Sequence, residues 1–169
     1  TDPLPRLEGR GRWKGPEMVV FIHSLGASLD ALDPAFETEG LEGYTLASLD
    51  LPGFGQSPSA EGFSCTMSDL ARLVIRWLRP LDAERMHIVG HSMGGVVGLH
   101  AAELLGTRAA SLVSLEGNLG VEDCVFSGKI ASLPQDAFER HGFAVFRAML
   151  GTLLEKEPGP GLERYARDL

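Results

Sequence analysis

The stretch that decides the fold is Ile-Val-Gly-His-Ser-Met-Gly-Gly, residues 88–95. It joins an apolar run to a helical pattern, and its centre matches G-x-S-x-G. Such a motif predicts a sharp turn from strand to helix, which forces Ser92 into strained backbone angles. Gly90, Gly94 and Gly95 are predicted to leave the space that side chains would otherwise fill. The hydroxyl would then stand at the carboxyl edge of a sheet, beside a helix N-terminus that stabilises negative charge. The alternative is a serine that only caps the helix, with glycines for close packing.

The regular elements around this turn are predicted from hydrophobic periodicity. Helical patterns cover residues 67–79, 92–105 and, more weakly, 29–36. Thr66 and Asp69 resemble a capping box for the first of these, Pro80 ends it, and Gly106 ends the second. Four short apolar runs that alternate with the helices predict buried strands: MVVFIH (18–23), YTLASLDL (44–51), MHIVG (86–90) and SLVSLE (111–116). This order predicts an α/β fold with a mostly parallel sheet and helices on both faces.

The pattern changes after Glu116. Residues 117–133 look irregular, residues 134–155 show helical spacing, and PGPG at 158–161 breaks the chain before a short charged stretch. No strand-like run follows residue 116, so we expect four strands, with a fifth from the first fifteen residues. The sequence therefore predicts a core over residues 1–120 and a separate helical segment over 121–169.

Composition limits the classes of partner. The chain has 169 residues, 44% of them hydrophobic, which is typical of a globular protein. Its 15 basic and 23 acidic residues give a net charge of −8, which argues against nucleic acid or an anionic membrane as the main partner. No apolar run reaches the roughly 20 residues that a membrane span needs. The first fifteen residues lack the apolar stretch of a signal peptide, and Cys65 and Cys124 cannot form a disulfide framework, so we expect a cytoplasmic location.

Three segments together resemble the α/β-hydrolase family over residues 18 to about 120. GHSMGG (90–95) resembles its nucleophile elbow, and DLPGFGQS (50–57) resembles its D-x-P-G-x-G-x-S loop. FIHSLGAS (21–28) resembles its oxyanion loop, usually His-Gly-x-Gly and here His23-Ser24-Leu25-Gly26. The resemblance implies that Ser92 is the nucleophile and that the backbone N–H groups of Leu25 and Met93 form the oxyanion hole. It implies no metal and no organic cofactor.

A serine nucleophile needs a histidine base and an acid that orients it. Glu116 lies at the carboxyl end of the strand after the elbow, where some family members place the acid, and Asp123 is the second candidate. Only His141 follows both Ser92 and Glu116, and its helical surroundings resemble the beginning of the family's lid rather than a base-bearing loop. We therefore expect an N-terminal portion of a hydrolase that lacks the last strands and the base. The alternative is a whole protein that has lost them.

The remaining conspicuous residues are given structural roles. Asp50, with Pro52, Gly53 and Gly55, is expected to shape a tight turn, and His23 is expected to brace the oxyanion loop. His91 is expected to pack or to form a hydrogen bond away from the nucleophile. His87 and His100 are also expected to be structural.

The functional hypothesis is a serine hydrolase that acts on a small ester, thioester or related acyl or carbon–carbon bond. Its partner would be a small apolar or ester-type substrate, roofed by the phenylalanine-rich segment after Glu116. The alternative for these phenylalanines is that they only pack the lid on the core. The alternative from another class is a non-catalytic protein that binds a small ligand on the same scaffold. The family resemblance alone cannot choose among substrates, because one fold hosts many reactions.

Overall fold

A five-stranded sheet forms the centre of the fold in the computed structural model, which describes residues 5–59 and 61–168. The strands are β1 (Gly9–Arg12), β2 (Glu17–Ile22), β3 (Thr45–Leu49), β4 (Arg85–His91) and β5 (Ala109–Leu115). Their order across the sheet is β1-β3-β2-β4-β5. Strands β2 to β5 run parallel, and β1 pairs antiparallel with β3 at one edge. The predicted α/β class is confirmed, and β1 is the strand expected within the first fifteen residues, of which 1–4 lie outside the described part.

The helices are α1 (Asp33–Phe36), α2 (Met67–Leu78), α3 (Met93–Leu105), α4 (Val125–Ala131), α5 (Gln135–Lys156) and α6 (Pro160–Asp168). The start of α2 follows the predicted cap, because Thr66 Oγ1 accepts a hydrogen bond from the Asp69 N–H at 3.2 Å. Helix α3 ends at Gly106, whose φ of 56° lies in the left-handed region that glycine adopts without a steric cost. The predictions for α2, α3 and α5 are confirmed.

Two segments differ from the prediction. Residues 29–36 form a 3₁₀ helix (Leu29–Leu32) followed by α1 rather than one helix, because Pro34 is tolerated only in the first turn of a new helix. Residues 117–133 are not wholly irregular, since they contain a 3₁₀ turn at Val121–Asp123 and all of α4. Helix α4 has seven residues and no side-chain cap, so neither periodicity nor a cap signalled it.

Both faces of the sheet pack against helical segments. On one face a cluster of buried apolar residues joins β2 and β4 to α2 and α3, including Ile22, Ile88, Val74 and Val97. On the other face a smaller cluster around Phe21 packs against the 29–36 segment. Full burial of one such side chain stabilises the fold by about 1.5–3 kcal/mol, so these layers hold the sheet in place.

Strand β5 differs from the prediction of a buried strand at residues 111–116. It is an edge strand, and its alternate residues Ser111, Val113 and Leu115 are exposed. Leu112 points the other way, toward Gly98 of α3. The strand is therefore buried on one face only, because α3 covers that face alone.

The chain divides into two units, Thr1–Gly117 and Asn118–Leu169. The first contains the sheet, and the second contains α4, α5 and α6. Within the second unit Phe146 of α5 stacks edge-on against Tyr165 of α6, with ring centroids 6.4 Å apart. Its interpretation as the start of a lid stays a prediction. Among the described helices, none has both the length and the apolar character needed to cross a bilayer.

Candidate active site

Ser92 is the single residue between β4 and α3. Its φ of 51° and ψ of −117° lie in a region that L-residues rarely occupy. Its N–H donates to the Leu115 carbonyl at 2.8 Å, and its own carbonyl accepts from the Gly95 N–H at 2.9 Å. The Ser92 side chain makes no capping hydrogen bond to α3. The reading of Ser92 as an ordinary helix cap is therefore wrong, and the predicted strained turn is confirmed.

The glycines of the turn are positions where a side chain would collide. A Cβ placed on Gly90 would meet the backbone of Gly94. A Cβ on Gly95 would meet Ser114 Oγ and would lie 3.2 Å from the Gly117 Cα. Backbone cannot move aside as a flexible side chain can, so β4, α3 and the end of β5 approach this closely only because these positions are glycine.

A third glycine brings the elbow and the 23–26 loop together. A Cβ on Gly94 would collide with the carbonyl oxygens of Ile22 and His23. The amino end of α3, which begins at Met93, therefore packs directly on the end of β2, from which the loop bearing Leu25 departs. This proximity is what an oxyanion hole built from the N–H groups of Leu25 and Met93 requires. That the two N–H groups converge on one oxygen stays a prediction.

Buried His23 holds the orientation of this loop. Its Nδ1 lies 2.8 Å from the Ser24 carbonyl oxygen, and its Nε2 accepts a hydrogen bond from the Leu51 N–H at 3.0 Å. Because Nε2 accepts, the ring is neutral and Nδ1 carries the proton; burial also lowers the pKa of His23. In a trans peptide the C=O and the following N–H point in opposite directions. Fixing the Ser24 carbonyl therefore also fixes the direction of the Leu25 N–H.

Asp50 ties neighbouring turns to the end of β3. Its Oδ1 accepts from the Leu29 N–H at 2.7 Å and its Oδ2 from the Gln56 N–H at 2.9 Å. Its carbonyl accepts from Ser57 Oγ at 2.7 Å. A Cβ on Gly55 would collide with the Asp50 carboxylate. These contacts support the expected turn-shaping role of the 50–57 loop, with the carboxylate satisfied by backbone donors.

Glu116 follows β5 directly and lies at the same edge of the sheet as Ser92. Its φ is 50° and its side chain is exposed. One carboxylate oxygen, Oε2, lies 3.3 Å from His91 Nε2. The expectation that His91 forms a hydrogen bond is confirmed, but its partner was missed by sequence reasoning. The pairing of His91 with Glu116 follows from the register of the two strands. In that register His91 of β4 lies opposite Leu115 of β5, so Glu116 comes directly after the residue that His91 faces.

Three of the other candidate residues have partners of their own. His87 lies near the amino end of β4 and hydrogen-bonds through both ring nitrogens, and His100 Nδ1 lies 3.9 Å from Glu103. Asp123 accepts a hydrogen bond from the Gly120 N–H at 2.8 Å. His141 lies in α5 of the second unit. Within residues 5–59 and 61–168, no three His, Cys, Asp or Glu side chains are arranged to hold a metal ion.

Comparison with known proteins identifies relatives of different activities. The chain is 40% identical over 119 residues to the dihydrolipoyllysine-residue acetyltransferase component of the acetoin cleaving system of Cupriavidus necator, covering 68% of this chain and 30% of that protein. It is 32% identical over 115 residues to the 2-hydroxy-6-oxononadienedioate/2-hydroxy-6-oxononatrienedioate hydrolase of Escherichia coli, covering 63% of this chain and 38% of that protein. The chain thus spans less than half the length of either relative.

The fold is also found among solved structures. An esterase from Exiguobacterium antarcticum superposes with a TM-score of 0.73 at 17% identity, covering 96% of this chain and 63% of the esterase. At that identity the likeness concerns the fold alone. The family model described as alpha/beta hydrolase fold matches residues 17–168, which include both the elbow and the 23–26 loop. The chain belongs to the α/β-hydrolase family.

Proposed function

We propose that this chain carries the nucleophile and the oxyanion hole of a hydrolase that cleaves a small ester, thioester or related acyl or carbon–carbon bond. The observation that carries the proposal is the strained Ser92 turn packed, through Gly94, against the loop that bears Leu25. Strained non-glycine backbone persists only where the surrounding structure enforces it, and such positions cluster at functional sites.

In the proposed reaction Ser92 Oγ attacks the carbonyl carbon of the substrate and forms a tetrahedral intermediate. The N–H groups of Leu25 and Met93 donate to its oxyanion, and each such donor is worth about 3–4 kcal/mol of barrier. The amino end of α3 adds positive partial charge at the same place. The base that takes the serine proton returns it to the leaving group, which departs, and water then hydrolyses the acyl group from Ser92.

The Ser92 proton needs a base, and Glu116 is proposed as the acid that orients it. Its position supports this role, since its backbone follows Leu115, which accepts the Ser92 N–H hydrogen bond. Of the four histidines of the first unit, His23, His87 and His100 have other partners or a bracing role. The fourth, His91, directly precedes Ser92, and its Nε2 lies 3.3 Å from Glu116 itself. We therefore place the base histidine outside the sheet-bearing unit, on chain that follows it.

The names of the relatives support acyl or related bond cleavage without choosing a substrate. One is called a hydrolase and one an acetyltransferase component. A small apolar or ester-type substrate remains part of the proposal, and the exposed Phe138 and Phe143 of α5 offer apolar surface for it. A cytoplasmic location is likewise a proposal that rests on the sequence.

Labelling with a fluorophosphonate probe, followed by peptide mapping, tests the proposal. We expect modification at Ser92, and the Ser92→Ala variant should lose it. A complete protein that resists the probe and binds apolar ligands tightly would instead be the non-catalytic binding protein.

A further inference from the structure

A second serine, histidine and carboxylate are joined by hydrogen bonds at the opposite end of the same sheet. Ser111 Oγ lies 2.9 Å from His87 Nδ1, and His87 Nε2 lies 3.0 Å from Glu17 Oε2. The three residues stand near the amino ends of β5, β4 and β2. Ser92 follows His87 by five residues of extended chain, about 16 Å away. This group, the Ser111–His87–Glu17 chain, is therefore separate from the elbow.

The direction of these hydrogen bonds follows from what each group can donate. A carboxylate only accepts, so the proton between Glu17 and the ring must be carried by His87 Nε2. In the neutral ring Nδ1 then has only a lone pair, and it must accept from the Ser111 hydroxyl. Arg85 lies 3.7 Å from Glu17, and Tyr44 packs edge-on against the His87 ring at 5.4 Å. The serine proton thus already faces an oriented base.

We propose that Ser111 is a second nucleophile, which accepts acyl groups from small activated esters independently of Ser92. Ser111 is exposed, so an aryl ester in solution can reach it. Ser111 Oγ attacks the carbonyl carbon, its proton passes to His87 Nδ1, and the ester C–O bond breaks. The departing aryloxide takes up that proton as a phenol, which leaves an acyl-Ser111 and a neutral ring. Water later hydrolyses the acyl-Ser111 to the carboxylic acid.

Ser132 is a matched internal control. It is also exposed, but its hydroxyl donates to the Lys129 carbonyl, which cannot take up a proton. General-base assistance by a positioned side chain is typically worth about 10²–10⁴-fold. Even a partial effect therefore predicts acylation of Ser111 at least roughly tenfold faster than acylation of Ser132.

The test uses the 169-residue chain with Ser92→Ala, treated with p-nitrophenyl acetate and mapped by mass spectrometry over time. We expect Ser111 to be acetylated at least roughly tenfold faster than Ser132, with its rate reduced at least roughly tenfold by His87→Gln and less strongly by Glu17→Gln. Circular dichroism shows whether each variant folds. If one of the two does not fold, the Ser111 acetylation rate of the other variant tests the role of the His87 base. Equal rates at Ser111 and Ser132, or a Ser111 rate that a folded His87→Gln variant retains, would overturn the proposal. Neither result bears on Ser92, which is absent from this experiment.

Discussion

Replacement of His23 by alanine should destabilise the fold far more than its position in a loop suggests. The change removes both ring hydrogen bonds and leaves the buried Leu51 N–H without its acceptor. The Ser24 carbonyl keeps its second hydrogen bond, from the Ala27 N–H at 3.2 Å. The ring also stacks edge-on against Phe54 with centroids 5.2 Å apart. The loss of stability therefore has two sources, an unsatisfied buried N–H donor and a cavity.

The magnitude follows from these contacts. An unsatisfied buried donor costs about 1–3 kcal/mol. The aromatic contact adds about 0.5–1.5 kcal/mol, and a ring-sized cavity adds more. We expect the free energy of unfolding of His23→Ala to fall by about 3–5 kcal/mol. His23→Phe keeps the ring volume and should lose only the donor cost, about 1–3 kcal/mol.

Urea and thermal unfolding followed by circular dichroism measure both changes. For a chain of this length each kcal/mol lowers Tm by about 2–4 °C, so His23→Ala should melt roughly 10 °C lower. The control is His100→Ala, which removes a partly exposed side chain 3.9 Å from Glu103 and should cost less than about 0.5 kcal/mol. A His23→Ala variant as stable as this control would refute the bracing role.

Three further predictions test the same region. Burial lowers the pKa of His23 from 6.5, so the unfolded chain binds a proton at a higher pH than the folded chain does. The free energy of unfolding should therefore be highest above about pH 6.5 and fall below it by at most about 1.4 kcal/mol per pH unit. Urea unfolding at several pH values measures this dependence, and His23→Phe should remove it. Gly94→Ala places a methyl group against the Ile22 carbonyl and should lower the free energy of unfolding in urea by at least about 2 kcal/mol. The control Gly151→Ala lies in open space within α5 and should raise it by about 0.5–1 kcal/mol. Ser92→Gly should raise Tm by relieving about 1 kcal/mol of backbone strain, and Ser92→Ala, which keeps the Cβ, should not.

The central strands and helices were predictable because their signals are local. The run MHIVG falls within β4, and the Thr66 cap fixes the start of α2 within one residue. Strand β1 shows the limit. Its sequence GRGR has no alternating apolar pattern, and long-range contacts hold it, such as Arg12 donating to the Phe36 carbonyl at 2.7 Å. A strand that depends on contacts so distant in sequence leaves little trace in its own residues.

The same distinction explains which parts of the candidate site the sequence revealed. Ser92 was identifiable because the turn demands glycine at fixed offsets, and a wrong residue at Gly94 would meet backbone atoms of β2. The pairing of His91 with Glu116 depends instead on the register between two strands, which no short motif encodes. A nucleophile set by a local turn can therefore be predicted from a few residues, whereas its acid and base can come from any strand end or loop that reaches the same edge. That is why the elbow was correctly located while the partners of the sheet's histidines emerged only from the folded arrangement.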